Sequence, residues 1–314
     1  MVDIVTLTLN PAVDKSASVD HVSPERKLRC RPPEYDPGGG GINVSRAVRM
    51  LGGDSLALFT AGGPAGELLS SLLEREGVPH RVVRTRGFTR ENLTVYEDSS
   101  GLQFRFGMPG PGLAEPEWRE CLESISALEF RPACIVASGS LPPGVPEDFY
   151  GRLAESCRAT GADLVVDASG DPLKLAVEHG VFMIKPNARE FAQLAGRDGM
   201  DESEQEEFAR ELVRRGRCRV VVVSLGAAGA LVADREGCTR LRAPSVKPRS
   251  KVGAGDSMVA GTVVGLARGY PALEAVRFGV AAGAAAVTTD GTRLCRKEDA
   301  EKLYAQMGGG EGGT

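Results

Sequence analysis

The densest chemical signal in the chain is VGAGDS, residues 252–257. Its two glycines, Gly253 and Gly255, let the backbone approach a ligand closely, and a long Ala/Gly-rich segment (255–268) follows. If that segment is a helix, the N–H groups of Gly253, Ala254 and Gly255 lie at its unpaired, dipole-positive start, which suits phosphate. Asp256, in the first turn, is placed to take a proton from an attacking hydroxyl. Taken alone, the motif leaves an ordinary glycine turn as an equal alternative.

Other candidates are spread along the chain. Gly38 to Gly41 open PGGGGINVSRAVRMLGG (37–53). Four consecutive glycines cost backbone entropy, which is tolerable where side chains would block a ligand. Gly39 and Asn43 could then meet a sugar, the Asn amide offering both donor and acceptor; a flexible loop is the alternative. In KPNARE (185–190), Asn187 and Glu190 share a helix face, and Glu190 can hold water of a hydrated Mg²⁺. Without context, a helix N-terminal Asn beside a solvated Glu is the simpler reading. In VVVVSLGAAGAL (220–231), a strand ends in Ser224, Leu225 and Gly226, and the turn could seat adenine or ribose whether or not the chain doubles back as a hairpin. Lys27, Arg90 and Arg105 could clamp a phosphorylated sugar, although each by itself reads as solvated surface charge. Asp14 follows the first predicted strand, at the carboxyl end where α/β ligands bind.

These groups need a scaffold. Apolar runs at 4–10, 55–63, 134–140, 163–169, 182–187 and 219–226 are apolar on successive positions, as in strands buried on both faces. Helix-period segments at 42–51, 65–76, 117–128, 147–160, 172–179, 188–195 and 203–215 lie between them. This alternation predicts an α/β fold with a mostly parallel sheet and helices on both sides. The segments 255–268 and 272–288 are small-residue helices expected to pack closely on the sheet.

Two stretches break the pattern. In 12–37, Ser16 and Ser18 alternate with Ala17 and Val19, and Lys27 and Arg29 alternate with Leu28 and Cys30, which suggests strands. Residues 92–107 read as a hairpin turning at DSSG. A separate β-layer accommodates both. The expected division is a main domain of 1–11, 38–87 and 109–307, a layer of 12–37 and 88–108, and a disordered tail at 308–314. The layer's exposed apolar face predicts pairing with another subunit.

Composition narrows the classes. The 314 residues are 42% hydrophobic and 25% charged, enough for a full core. With 38 basic and 42 acidic residues, a net charge of −4 argues against nucleic-acid or membrane-surface partners. Seven cysteines without C-x-x-C spacing and three scattered histidines argue against a structural metal and for a cytoplasmic protein. The start MVDIVTLTLN reads as a strand, not a signal peptide, and no apolar stretch is long enough to span a membrane. P-loop, protein-kinase, dinucleotide-fingerprint and nucleophile-elbow motifs are absent.

Together PGGGGINVSRA and VGAGDSMVAG resemble the two signatures of the ribokinase/PfkB family of carbohydrate kinases, with ASGSLPPG (137–144), KPNARE and VVVSLG in the family's order. The resemblance covers nearly the whole chain. It implies a ribokinase-like three-layer α/β/α fold with a β-sheet lid, the lids of two subunits packing in a homodimer. It also implies ATP and Mg²⁺ and in-line phosphoryl transfer, with Asp256 as base and Gly253, Ala254 and Gly255 stabilising the moving group. Asp14, Gly39 and Asn43 would bind sugar hydroxyls. Arg90, Arg105 and a partner subunit's Lys27 would hold the substrate's phosphate, with Ser138 and Ser140 lining the cleft.

By the same resemblance, Lys185, Ser224 and Gly226 would contact ATP, and Asn187 and Glu190 would serve Mg²⁺ through water. Ser250, Val252, Ala286, Thr289, Gly291 and Arg293 match a K⁺ site, with Thr289 standing where close relatives commonly have Asn. The segments KLRC (27–30), GGGGINV (38–44) and GTRLC (291–295) are most similar to the branch acting on fructose 6-phosphate. Tagatose 6-phosphate and fructose 1-phosphate are the alternative substrates. A second, inhibitory ATP and an ATP-linked tetramer also occur in that branch. A silent sugar-phosphate sensor on this scaffold would be expected to have lost part of the machinery, all of which is intact.

Overall fold

The computed structural model describes residues 3–289 and 291–308, so the tail expected at 308–314 lies, but for Gly308, outside the described residues. In chain order the first half contains β1 (Ile4–Thr8), β2 (Ala12–Val19), β3 (Glu34–Gly38), α1 (Gly40–Met50), β4 (Ser55–Ala61), α2 (Gly63–Arg75), β5 (His80–Arg84), β6 (Arg90–Glu97), β7 (Gln103–Phe106), α3 (Glu115–Ser126) and β8 (Cys134–Ser138). The second half contains α4 (Phe149–Thr160), β9 (Asp163–Asp167), α5 (Gly170–His179), β10 (Val181–Ile184), α6 (Ala188–Leu194), α7 (Glu202–Arg214), β11 (Cys218–Ser224), β12 (Ala230–Asp234), β13 (Gly237–Leu241), α8 (Ala254–Ala267), α9 (Ala272–Val287) and α10 (Lys297–Gln306).

Nine strands form one sheet in the order β13-β12-β11-β10-β9-β8-β1-β4-β5. Seven run parallel, and β12 and β13 return antiparallel at one edge. The central strands are buried on both faces because their side chains alternate between two apolar layers. Val5 and Leu7 of β1 join α3 to α7 around Phe149, Leu153 and Phe191, whereas Ile4 faces Val44, Val48 and Val259 on the other side. Every strand of this sheet read from the sequence is present. Edge strands β5 and β13 and helix α10 were not anticipated, since all three are short and largely polar.

The small-residue helices pack on the sheet, with Val259 and Val263 in one core with Ile4, Val136 and Val222, and also closely on each other. A Cβ on Gly261 would lie 2.8 Å from Ala282 Cβ, and one on Gly265 would lie 2.8 Å from Ala275 Cα. Glycine at these positions lets the α8 and α9 backbones approach.

A second sheet, ordered β3-β2-β6-β7, stands apart from the first. β2 pairs parallel with β6, and both outer pairs are antiparallel. The hairpin turning at DSSG forms as expected, between β6 and β7. The alternation at 27–30 does not make a strand: Lys27 to Cys30 are exposed and irregular. An alternating pattern forms a strand only where a partner accepts its backbone, and this stretch meets β2 only beyond it, where Arg31 N donates to the Ser18 carbonyl at 2.8 Å. Among the described residues no helix is long and apolar enough to cross a membrane.

Candidate active site

Four strand ends and the start of β2 bring polar residues to one place. Asp14 lies on β2, just beyond β1, while Ser138 ends β8, Asp167 ends β9, Lys185 follows β10 and Ser224 ends β11. This is the carboxyl edge of the parallel sheet, where α/β folds hold ligands. α8 starts against it with Gly253 as N-cap in a left-handed conformation (φ 74°), and no side chain caps its first turn. The first-turn N–H groups are thus left for another acceptor.

Asp256 projects from that turn and accepts a hydrogen bond from Asn43 Nδ2 at 2.9 Å. Burial and the neighbouring Asp167 carboxylate push its pKa up to about 6, against the opposing pull of Asn43 and Lys185. Lys185 is 7% exposed and pairs with Asp167 at 3.1 Å. Burial opposes its charge, but Asp167, Asp256 and Glu190 together hold its pKa above the ordinary lysine value. Gly255 completes the floor: a Cβ there would lie 3.6 Å from Lys185 Nζ.

The four glycines do something more specific than leave space for a ligand. A Cβ on Gly38 would fall 2.4 Å from Asp14 Oδ2, and one on Gly40 would fall 2.2 Å from Ser138 Oγ. Gly39, at φ 116°, adopts a backbone that other residues resist. The loop therefore wraps the protein's own polar groups and delivers Asn43 to Asp256. Asp14 Oδ1 accepts from Asn92 Nδ2 at 2.7 Å, and Ser140 Oγ accepts from Asn10 Nδ2 at 3.0 Å.

Beside the start of α8 opens a cavity of about 720 Å³. Ser224, Gly226, Ala254 and Gly255 line it together with Val246, Val280 and Val287. An apolar slot meeting a set of free N–H groups suits a flat base with a phosphate tail. The hairpin reading of 220–231 is realised: β11 and β12 pair antiparallel, and their turn lines this cavity.

Asn187 caps α6 in a reciprocal box: its Oδ1 accepts from Glu190 N at 2.9 Å, and Glu190 Oε2 accepts from Asn187 N at 2.9 Å. The capping alternative is thus realised, while Glu190 still lies within electrostatic range of Lys185. Among the described residues no three His, Cys, Asp or Glu side chains converge on a metal position. A carboxylate backed by phosphate and water fits Mg²⁺, which retains most of its waters.

The sugar-phosphate side is arranged differently. Arg90 is half-buried and donates to the carbonyls of Asn10 (2.9 Å), Met108 (3.1 Å) and Pro11 (3.4 Å). Burial lowers its pKa, and Asp14 opposes that shift. The register Asp14↔Asn92 and Thr94↔Arg105 sets Arg105 on the same sheet face as Asp14, two strands away. Arg105 and Lys27 are exposed, and no contact joins Lys27 to the cleft within one chain.

The six residues matched to a cation site fall into two hydrogen-bonded groups. Ser250 Oγ donates to the Gly291 carbonyl at 2.6 Å and accepts from Val252 N at 3.2 Å. Thr289 Oγ1 lies 2.8 Å from the Ala286 carbonyl and 2.6 Å from the Arg293 carbonyl. Each group offers hard, neutral hydroxyl and carbonyl oxygens, a donor type that fits a singly charged cation, and Thr289 still supplies an oxygen.

Sequence reading passed over Asp167, Arg46, Asn10 and Asn92. Asp167 had a signal, since it closes the β-branched run DLVVD at the carboxyl edge. Arg46 had one as well, three residues beyond Asn43 on a helix whose neighbouring positions are apolar.

A carboxylate at an uncapped helix start, an apolar slot beside it and a strand layer carrying cations form the anatomy of a ribokinase-like sugar kinase. The chain belongs to the pfkB family of carbohydrate kinases, whose profile matches residues 1–299. It is 48% identical over 301 residues to the ATP-dependent 6-phosphofructokinase isozyme 2 of Mycobacterium tuberculosis, covering 96% of this chain and 88% of that one. It is 45% identical over 308 residues to the isozyme 2 of Escherichia coli, covering 98% and 99%. The crystal structure of Escherichia coli phosphofructokinase-2 in complex with potassium superposes with a TM-score of 0.94 at 44% identity, covering 98% of this chain and 100% of that one. The same protein has been crystallised with fructose-6-phosphate, with a TM-score of 0.91 at 43% identity over 98% and 100%, and in a tetrameric inhibited form.

Proposed function

We propose that this chain transfers the γ-phosphoryl group of ATP to the 1-hydroxyl of fructose 6-phosphate. The observation that carries the reading is Asp256. It stands at an uncapped helix start with its pKa raised to about 6, between the nucleotide-sized cavity and the sugar-binding polar groups. The choice of sugar draws support from the two relatives at 48% and 45% identity, both named 6-phosphofructokinases.

In the reaction Asp256 takes the proton of the 1-hydroxyl as that oxygen bonds to the γ-phosphorus, and the bond to the β-phosphate oxygen breaks to leave ADP. The N–H groups at 253–255 and the Lys185 ammonium meet charge on the transferring group without having to reorganise. Asn43 fixes the orientation of the base, and Asp14 holds sugar hydroxyls. Mg²⁺, served by Glu190 through water, would neutralise the nucleotide phosphates. K⁺ among Ser250, Thr289 and Arg293 would add positive charge beneath the helix start.

The four-stranded layer supports a homodimer. Register sets Tyr35, Ala17, Leu93, Val95, Phe104 and Phe106 on one face, with Tyr35 37% and Phe106 49% exposed. Pairing two such faces would cover them and bring Lys27 of one protomer to the other's cleft. An ATP-linked tetramer would extend the same assembly. The seven cysteines are unpaired, which suits the cytoplasm.

The test is Asp256→Asn, assayed by ADP release with fructose 6-phosphate, tagatose 6-phosphate and fructose 1-phosphate. Turnover should fall by about 10²–10⁴-fold. Near-normal turnover would remove Asp256 from the role, and a higher kcat/KM on another sugar would reassign the substrate.

A further inference from the structure

Behind Asp256 stands a buried cation that the mechanism above does not use. Arg46 on α1 is 5% exposed. Its Nε and Nη2 each donate to one oxygen of Glu76, just past α2, at 2.6 Å. Its Nη1 donates to the Pro37 carbonyl at 3.0 Å and to Asn43 Oδ1 at 3.3 Å. Asn43 then donates through Nδ2 to Asp256 at 2.9 Å.

The amide geometry gives this relay a direction. A carboxamide carries its acceptor on one side and its donors on the other. A guanidinium on Oδ1 therefore turns the amide N–H toward Asp256. Without it the amide could rotate and set its oxygen against the carboxylate, a repulsive contact. A purely structural ion pair would explain Glu76 and Pro37, since it ties α1 to α2 and β3. It would not explain why the remaining N–H reaches Asn43. Buried pairs are also poor stabilisers compared with apolar packing, so the pair alone is weak evidence for a purely structural role.

We infer that Arg46, gripped by Glu76, is a positioning residue for phosphoryl transfer, fixing the Asn43 amide with its N–H toward Asp256. This rests on Asp256 being the base. The other charged groups around the relay are Asp167 from β9, Lys185 after β10 and Asp14 from β2, which face Asp256, and Asp36 from β3, 3.7 Å from Arg46.

The experiment compares kcat–pH profiles and thermal unfolding of wild type, Arg46→Met, Glu76→Gln and Asp256→Asn. An N–H donor favours the charged carboxylate, so losing it raises the pKa of the base. In Arg46→Met, kcat should fall by about ten- to hundredfold, as for the loss of a hydrogen bond to a charged group. Its acid limb should move about one pH unit higher, with KM for ATP within about twofold. Glu76→Gln should move the limb less, in the same direction. A folded Arg46→Met enzyme that unfolds earlier but keeps its kcat and acid limb would reduce Arg46 to a strut and overturn the inference. If Arg46→Met does not fold, Glu76→Gln decides: a displaced limb supports the relay and an unmoved one overturns it. Asp256→Asn separates the two levels. If it is inactive while the limb of Arg46→Met stays put, only the positioning role fails; if it turns over normally, the base assignment fails and the relay with it.

Discussion

The two ends of the cleft are built on opposite plans. At the phosphoryl end every charge is answered inside the chain: Lys185 by Asp167 at 3.1 Å, Asp256 by Asn43 at 2.9 Å, and Arg46 by Glu76 at 2.6 Å. At the sugar-phosphate end Lys27 and Arg105 are exposed on the four-stranded layer, and Arg90 is engaged by three backbone carbonyls. The first end rests on strand termini and a core helix and is organised before substrate arrives, the arrangement that stabilises developing charge at least cost in reorganisation. The second rests on a sheet with one apolar face uncovered, and in our reading another subunit completes it. Rigid chemistry and an adjustable grip are thus assigned to different parts of the fold.

The sharpest way to break that contrast is to ask what the organised end costs the fold. Asp256 titrates at about 6 in the fold against an ordinary 3.8, so the folded chain holds this proton more tightly than the unfolded one. Its contribution to stability is therefore fully present below about pH 4, is lost as pH rises through about 6, and stays lost above that. Asp256→Asn should abolish nearly all turnover and yet unfold at a higher temperature than wild type near pH 8, by about 1–3 kcal/mol, with the gap closing toward pH 4. Equal melting profiles across that range would mean that the carboxylate carries no such burden.

At the other end the effect should fall on KM. Arg105 is exposed, and among the described residues its side chain has no hydrogen bond or ion pair. Arg105→Ala should raise KM for fructose 6-phosphate about 10- to 100-fold with the melting temperature unchanged, the usual loss for a hydrogen bond to a charged group. Arg90→Ala should raise KM as well and also lower stability by about 1–2 kcal/mol, because three carbonyls lose their donor. If Arg90→Ala melted like wild type, the backbone bonds would be incidental and the two arginines equivalent.

The same contrast explains how legible each end was. The anion cradle, the glycine loop, Asn187 with Glu190 and the parallel strands all announce themselves through local patterns: glycine next to a helix, or β-branched runs closed by polar residues. The relay through Arg46 has no such mark, since Glu76 lies 30 positions away and meets it only through the packing of α1 against α2. The second layer was read as strands in 12–37 and a hairpin at 92–107; strands form at 12–19, 34–38, 90–97 and 103–106 but not at 27–30, where alternation alone did not supply backbone partners. The small-residue helices do pack on the sheet as read, but their glycines also seat them against each other, because a glycine signals close approach without saying to what. Periodicity reports which face is buried, and only the tertiary arrangement names the neighbour.

Phe106, 49% exposed, tests whether the open face belongs to a second copy. Phe106→Asp should shift the chain from dimer to monomer in sedimentation and raise KM for the sugar phosphate about tenfold, through loss of the partner's Lys27. A monomeric variant with unchanged KM would show that the grip is complete within one chain. A wild type that is already monomeric would remove the pairing itself.

The smallest effect separates glycines that serve the ligand from glycines that serve the fold. Gly253 has φ 74°, and a Cβ there would meet Leu294 Cδ2 at 2.6 Å, so Gly253→Ala should cost about 1–2 kcal/mol of stability. Gly255 lies within the first turn of α8 at an ordinary helical φ, and its nearest neighbour to an added Cβ is Lys185 Nζ at 3.6 Å. Alanine is the better helix former, so Gly255→Ala should leave stability unchanged or raise it by about 0.5 kcal/mol. Its methyl would nevertheless stand on the floor of the phosphate cradle, and KM for ATP should rise a few-fold while KM for the sugar phosphate stays constant. A Gly255→Ala enzyme with unaltered ATP kinetics would mean that the phosphates do not approach this turn, and the nucleotide would then have to be moved along the cavity toward Ser224 and Gly226.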